Sequence, residues 1–255
     1  MATTKKTDVA VQHSQELAFS NEVPDYIKQG QARGSEEVKA SDMVLPRLEI
    51  VQALSPIKET NEDAKEGYLF NSVTQEVIGD VAYFVPVYFR MEYLVWKDND
   101  QGGGFFGSFN TAAEAEARKA EAVSGGENPE YLEIVDTPVQ YGLRVTPSGE
   151  IEQIVISMAK TKAKVSRKWN AMIQITGGDR FSRVYKITTF RDENAKGQKF
   201  FNYVVQPAGF TPKAAYEQAE QLYTVLKTQD FRVAHDSVVD SGDTKSMDGV
   251  DRGGL

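Results

Sequence analysis

The sequence predicts a mainly β fold of the α+β class, in which a few helices are added to an antiparallel core. The strongest observation is the alternation of apolar and other residues from Val81 to Trp96, which is typical of a long, half-buried strand. Further short alternating stretches are separated by Gly, Asn and Pro, as they are in hairpins. Helical spacing of apolar residues is confined to a few stretches, so strands are expected to dominate.

The first strands are predicted after a polar N-terminal region, and order is expected to begin near Leu45. The segments Tyr68–Val73 and Val77–Val81 flank a polar turn and predict a β-hairpin. Pro86, in the long strand that follows, indicates an edge position or a bulge, because proline has no N–H to donate to a neighbouring strand. Short strands are predicted again within Leu132–Arg144.

The second half of the chain predicts a strand, a helix and a hairpin in that order. Ile151–Met158 is the strand, and the helix extends over Thr161–Ile175 because its apolar residues share one face. Those apolar residues are Val165, Trp169, Met172 and Ile173. Arg180–Phe190 and Lys199–Val205 alternate on either side of a polar turn and predict the hairpin. Trp169 is expected to lie in the core, since its helical neighbours are apolar.

Five strands with a helix between the third and the fourth give the chain order of an OB-type barrel, a fold that commonly binds oligonucleotides on one open face. We therefore predict an OB-like five-stranded barrel core over residues 41–229. An acidic helix over Thr111–Val123, rich in Ala and Glu, is predicted as an insertion around residues 100–130. A C-terminal helix follows, with Thr211 as its cap and Pro212 at its first position.

The two ends of the chain have compositions that do not predict a packed core. Residues 1–40 are interpreted as a flexible N-terminal arm, and residues 230–255 as a disordered, mildly acidic tail. Both histidines, His13 and His235, fall in these ends and there is no cysteine, so we expect no metal, no cofactor and no enzymatic activity. No apolar run approaches the roughly 20 residues of a membrane span, and the lack of cysteine is compatible with a cytoplasmic location.

Charge is distributed unevenly between one segment and the rest of the chain. The net charge is −8, yet the segment from Ser157 to Arg191 contains nine basic residues and a single acid, Asp179. This segment therefore carries +8 and the remainder carries −16. Such a separation predicts one electropositive face on an acidic protein, which is the electrostatic signature of a nucleic-acid-binding surface.

Aromatic residues are interleaved with these cations, and both residue types are needed to bind a single strand of nucleic acid. Cations neutralise phosphates and release counterions, while aromatic faces stack on unpaired bases at roughly 1–3 kcal/mol per base. We predict a binding surface formed by Lys160, Lys162, Lys164, Arg167, Lys168, Arg180, Phe181, Arg183, Tyr185, Lys186, Phe201 and Tyr203. A second aromatic patch, Tyr88–Lys97 with Phe105–Phe109, either lines the same groove or reflects only the β-propensity of aromatic residues.

Four segments of the chain resemble a group of tailed-bacteriophage proteins that bind single-stranded DNA. These segments are Leu45–Pro56, Phe84–Phe89, Lys164–Asn170 and Phe181–Tyr185. The resemblance covers about Met43 to Leu226. It implies a protein of the host cytoplasm that coats and protects DNA during phage replication or recombination, and that recruits phage or host proteins through its C-terminal tail. The tail here departs from that pattern, because it is sparse in acids and ends in Leu255 rather than in an aromatic residue.

Other functions stay open at the level of the sequence. A strand-annealing recombinase would also be basic on one face, and it would form rings or filaments and speed the annealing of complementary strands. A non-catalytic protein with a plain β core would bind a protein partner instead, and its aromatic residues would be buried. A nuclease that uses a carboxylate-bound metal is the least favoured, because no metal-binding motif is present. An oligomer is compatible with the DNA-binding functions.

Overall fold

The computed structural model describes residues 34, 36–37, 44–98, 101–193 and 197–228. Most of the predicted N-terminal arm and the whole of the predicted tail lie outside the described residues. The strands are β1 (Leu48–Ile50), β2 (Leu69–Asn71), β3 (Val77–Gly79), β4 (Ala82–Lys97), β5 (Gly104–Phe109), β6 (Leu132–Val145), β7 (Ile151–Ser157), β8 (Arg183–Glu193) and β9 (Lys199–Phe210). The α-helices are α1 (Ile57–Thr60), α2 (Ala112–Ser124), α3 (Ala163–Thr176) and α4 (Lys213–Thr228).

The strands form two antiparallel sheets, which confirms the mainly β class predicted from the sequence. The small sheet has the order β1-β2-β3. The large sheet has the order β7-β6-β4-β8-β9, and β5 pairs with the last residues of β4. Strand β4 is the centre of this sheet, because β6 pairs along nearly its whole length and β8 pairs with its first residues. Helix α3 connects β7 to β8, at the place where the sequence predicts a helix.

The large sheet is open, so the OB-like five-stranded core expected from the sequence does not form a closed barrel. Its outer strands, β7 and β9, do not pair with each other within the described residues. The segment around β1 contacts both strands instead: Arg47 forms a parallel bridge with Val155, whose N–H donates to the Pro46 carbonyl at 2.9 Å. On the β9 side, the Gln52 side-chain amide accepts from the N–H of Phe201 and donates to its carbonyl, both at 2.8 Å. This side chain satisfies the backbone groups that a neighbouring strand would satisfy.

Helices cover the large sheet on both of its faces. One core cluster joins Phe84 of β4 to Trp169 of α3 and Tyr185 of β8, and the other joins Val85 of β4 to Leu222 of α4. Because successive residues of a strand point to opposite faces, Phe84 and Val85 mark the two sides of the sheet. Trp169 is fully buried, as expected, and its ring lies 5.5 Å from that of Phe84 and 5.4 Å from that of Tyr185. The aromatic contacts of Trp169 therefore hold α3 against the sheet.

The predicted acidic helix is present as α2, which follows β5 in the connection between β4 and β6. Thr111 caps α2 by accepting the Glu114 N–H at 3.3 Å, and the Glu114 carboxylate accepts the Thr111 N–H at 3.2 Å. This reciprocal capping box fixes the start of the helix. None of the described helices is long and apolar enough to cross a membrane.

Several local predictions are changed by the structure. The segment Leu132–Arg144 belongs to one continuous strand, β6, rather than to several short ones. A bulge in the pairing of β4 with β6 accommodates Pro86, as its sequence position indicates. Arg180–Ser182 is a 3-10 turn that precedes β8 rather than part of a strand. The Thr211 hydroxyl donates to the Phe181 carbonyl at 2.7 Å, so it ties the start of α4 to this turn.

Gly142 of β6 marks a close approach between β6 and β4. A Cβ atom added there would collide with the Val85 carbonyl and the Phe84 ring. We expect Gly142→Ala to lower the free energy of unfolding by roughly 1–3 kcal/mol, as overpacking of a core does. Urea unfolding measures the change. Gly125→Ala is the control: its Cβ would approach nothing closer than the Ala122 carbonyl at 3.3 Å, and equal destabilisation by both substitutions would contradict the role of close packing.

Candidate nucleic-acid interface

The surface of α3 and of the turn before it carries a run of cations without an acid. A 3-10 turn, Lys160–Lys162, leads directly into the helix. Lys164, Arg167 and Lys168 are exposed at positions i, i+3 and i+4, which places them together on one face of α3. We call these three residues the basic face. Among the described residues none offers them an ion pair, so their charges face solvent uncompensated.

Lys160, Lys162 and Lys164 lie at the N-terminal end of α3, where a positive charge opposes the stability of the helix. The N-terminal end of a helix has a partial positive charge, so a cation there costs roughly 0.3–1 kcal/mol. Helix α3 has no acid in its first turn, and its N-cap residue, Lys162, makes no capping hydrogen bond with its side chain. Lys160 also has a left-handed backbone with φ of 52°, which is unfavourable for a side chain of this kind. Departures from locally favourable sequence are typical of functional sites.

Arg180 is held beside the basic face by neutral amides. Its guanidinium donates to the Asn170 side-chain oxygen at 2.6 Å and to the side-chain oxygen of Gln140. Gln140 in turn donates to the Ser166 hydroxyl at 2.9 Å, and the guanidinium lies 5.6 Å from the centre of the Phe89 ring. Burial lowers the Arg180 pKa to about 10, so the group still carries its charge at neutral pH. Within the described residues no carboxylate pairs with this cation, which leaves a fixed positive charge beside Asn170 of α3.

Arg183 adds a further guanidinium at the first residue of β8. Burial raises the pKa of the Tyr185 hydroxyl, and three neighbours oppose that shift: a hydrogen bond with Thr176 and the charges of Arg183 and Arg180. Arg183 is paired with Phe210 of β9, and its guanidinium lies 4.6 Å from the centre of the Phe210 ring.

The structure separates several predicted site residues from this group. Phe181 is buried against Tyr216 with 4.9 Å between ring centres, and the buried Tyr203 donates its hydroxyl to the Leu48 carbonyl at 2.7 Å. Tyr185 is likewise in the core. Buried rings cannot stack on a base unless the core opens, so we leave these three out of the proposed interface.

Two more predicted residues, Phe201 and Lys186, do not join the basic face, and Phe201 packs against the core cluster that contains Trp169 of α3. The Phe201 ring packs directly on the backbone of Gly67, at a place where a Cβ atom would overlap with it. Lys186 follows Tyr185 in β8 and therefore points to the opposite face of the sheet. The structure therefore groups Arg180 with the cations of the turn and of α3, while it disperses the aromatic residues.

The second aromatic patch is divided between two packing sites. Tyr88 packs against Tyr223 of α4 with 6.2 Å between ring centres, and Trp96 packs against Phe105 of β5 at 4.7 Å. Each ring is half-buried. The patch therefore contributes to the attachment of α4 and to the β4–β5 pairing, in agreement with the interpretation from β-propensity.

A comparison with known protein families gives a match that spans most of the chain. A family model described as Pam3 phage gp34-like protein matches residues 13–232. That range includes every strand and helix from β1 to α4. Searches of curated proteins and of solved structures found no match.

Proposed function

The chain belongs to the Pam3 phage gp34-like protein family, and on that premise we propose that it binds and protects single-stranded DNA during phage replication or recombination. The binding is largely independent of sequence and involves no catalysis. The observation that carries this proposal is the basic face of α3 with its uncompensated charges. Phosphate contacts of this kind supply affinity without reading bases, which is what a protein that coats a single strand requires.

The energetics of α3 support the same proposal. The lysines of the preceding turn and Lys164 oppose the helix dipole, and the cations of the basic face repel each other, so they lower the stability of the free protein. A polyanion that binds there would remove this repulsion, and the partly positive N-terminal end of the helix would then favour the bound phosphates. The unfavourable charges are thus explained by binding rather than by folding.

The topology of the large sheet is a second support. Its strands β4, β6, β7, β8 and β9 follow the chain order of an OB fold, with β4 as the first strand and α3 between the third and the fourth. An OB fold is a partly open barrel that commonly binds oligonucleotides. We therefore propose an OB-like core in which Gln52 and the segment around β1 occupy the gap between the outer strands.

The test of this function is the salt dependence of binding to single strands. If the five cations from Lys160 to Lys168 each contact a phosphate, raising the salt from 50 to 200 mM should weaken oligo-dT binding by about 100-fold. Fluorescence anisotropy of labelled oligo-dT measures this, with duplex DNA and single-stranded RNA of the same length for comparison. A lack of binding to oligo-dT at 50 mM salt would overturn the proposal.

A further inference from the structure

The last residue of β9 presents an unusually exposed aromatic ring. Phe210 is 76% exposed, which is more than any other aromatic residue among those described, and Phe190 follows at 42%. A single exposed ring is common on protein surfaces and needs no function by itself. The surroundings of Phe210 distinguish it, because Arg183 lies over the ring and directly follows the turn that carries Arg180.

From this position we infer that Phe210 is a base-stacking site, which takes an unpaired nucleobase of the strand whose phosphates lie on the basic face. The inference rests on the proposed function and adds to it the residue that receives the base. A single strand offers an apolar π-face and a negative phosphate within each nucleotide, and Phe210 with Arg183 offers the complementary pair. A guanidinium stacked on a ring also provides a second planar surface for a base.

The backbone around Phe210 fixes the direction of the ring. The β8–β9 pairing contains a bulge at Val184 and Tyr185, and Gly209 has φ of 142°, so the end of β9 does not follow the regular alternation. The Thr211 N–H donates to the Ser182 carbonyl at 3.0 Å, which holds the chain immediately after Phe210. Because the ring is already positioned in the free protein, little ordering is lost when a base stacks on it.

Phe190 provides a matched control on the same hairpin. It lies in β8 at an odd number of residues from Arg183 and Tyr185, so alternation places it on the opposite face of the sheet, away from α3. Both rings are exposed, so both can be removed without disturbing a core cluster. A general loss of surface apolarity would affect the two variants alike, whereas a stacking site would affect only Phe210→Ala.

The experiment compares wild-type protein, Phe210→Ala and Phe190→Ala by anisotropy with labelled oligo-dT. Phe210→Ala is expected to bind about 10-fold more weakly with an unchanged salt slope, because the lost ring carries no charge, and Phe190→Ala should bind like the wild type. Phe210→Trp should keep the affinity, and its added fluorescence should be quenched when oligo-dT binds. If Phe210→Ala fails to fold, the fluorescence of Phe210→Trp tests the stacking site instead.

The outcomes separate the inference from the proposed function. Wild-type affinity in Phe210→Ala, or an equal loss in both alanine variants, overturns the stacking site while binding to α3 stands. Absence of quenching in a Phe210→Trp variant that binds oligo-dT overturns it as well. A wild-type protein that does not bind oligo-dT overturns the proposed function and the stacking site together.

Discussion

Replacing Lys164, Arg167 and Lys168 together by glutamine is expected to weaken oligo-dT binding by about 100-fold at 0.1 M salt. Each phosphate contact on a single strand contributes roughly 0.7 to the slope of log affinity against log salt concentration. Loss of three contacts therefore lowers the slope by about 2, and at 0.1 M salt this corresponds to about two orders of magnitude in affinity. Anisotropy at several salt concentrations measures the affinity and the slope in one experiment.

A charge-matched variant determines whether position or net charge is responsible. Lys58, Lys65 and Lys227 are exposed and lie outside α3, so their replacement by glutamine removes the same three charges elsewhere. We expect this variant to bind within about 3-fold of the wild type, because screening limits the reach of a surface charge to roughly 10 Å. Equal losses in the two triple variants would contradict a localised interface. Circular dichroism should not change in either, since none of the six residues belongs to the core.

The basic face is predictable from the sequence for a physical reason. The stretch from Lys160 to Lys168 contains five cations and no acid, and helical spacing alone places Lys164, Arg167 and Lys168 together. Exposure of these residues follows from the cost of burying a charge without a partner. The same logic fails for Arg180, whose burial depends on Gln140, a residue 40 positions away that no local pattern links to it.

The aromatic part of the interface is not predictable in this way. The alternation of residues predicts which rings share a face of a strand, but it does not predict whether a helix covers that face. Here α3 and α4 cover opposite faces of the large sheet, so Tyr185 and Phe181 are both buried although they belong to different clusters. Phe210 is missed for the opposite reason: Pro207 and Gly209 interrupt the alternating pattern, and the bulge sets the direction of its ring.

The open edge of the large sheet also lies beyond the sequence pattern. Chain order predicts five strands and a helix, but closure of a barrel depends on whether the first and last edges meet. The contact of Gln52 with Phe201 spans 149 positions of the chain, and it uses a side chain where a strand would use its backbone. A polar residue in a turn-like segment gives no local signal of such a role.

Trp169→Ala is expected to lower the free energy of unfolding by about 3–5 kcal/mol, which is the cost of removing a large aromatic side chain from a core. Trp169 has 0% exposure and contacts the rings of Phe84 and Tyr185, so its removal leaves a cavity between α3 and the sheet. Urea unfolding followed by circular dichroism measures the loss without relying on the fluorescence of the missing indole. An unfolding midpoint equal to that of the wild type would contradict the anchoring role of this ring.

Trp169→Phe tests whether DNA binding depends on the anchoring of α3 as well as on the charges that the helix carries. The buried indole N–H has no hydrogen-bond partner among the described residues, so phenylalanine loses no hydrogen bond and keeps an aromatic contact with Phe84. We expect it to cost less than Trp169→Ala, because phenylalanine leaves a smaller cavity. Both Trp169 variants retain every cation of the basic face. At a temperature near the unfolding transition of Trp169→Ala, only that variant should bind oligo-dT more weakly. Because the charges are identical, a difference in affinity between the two variants reports how far binding depends on a helix that is held in place.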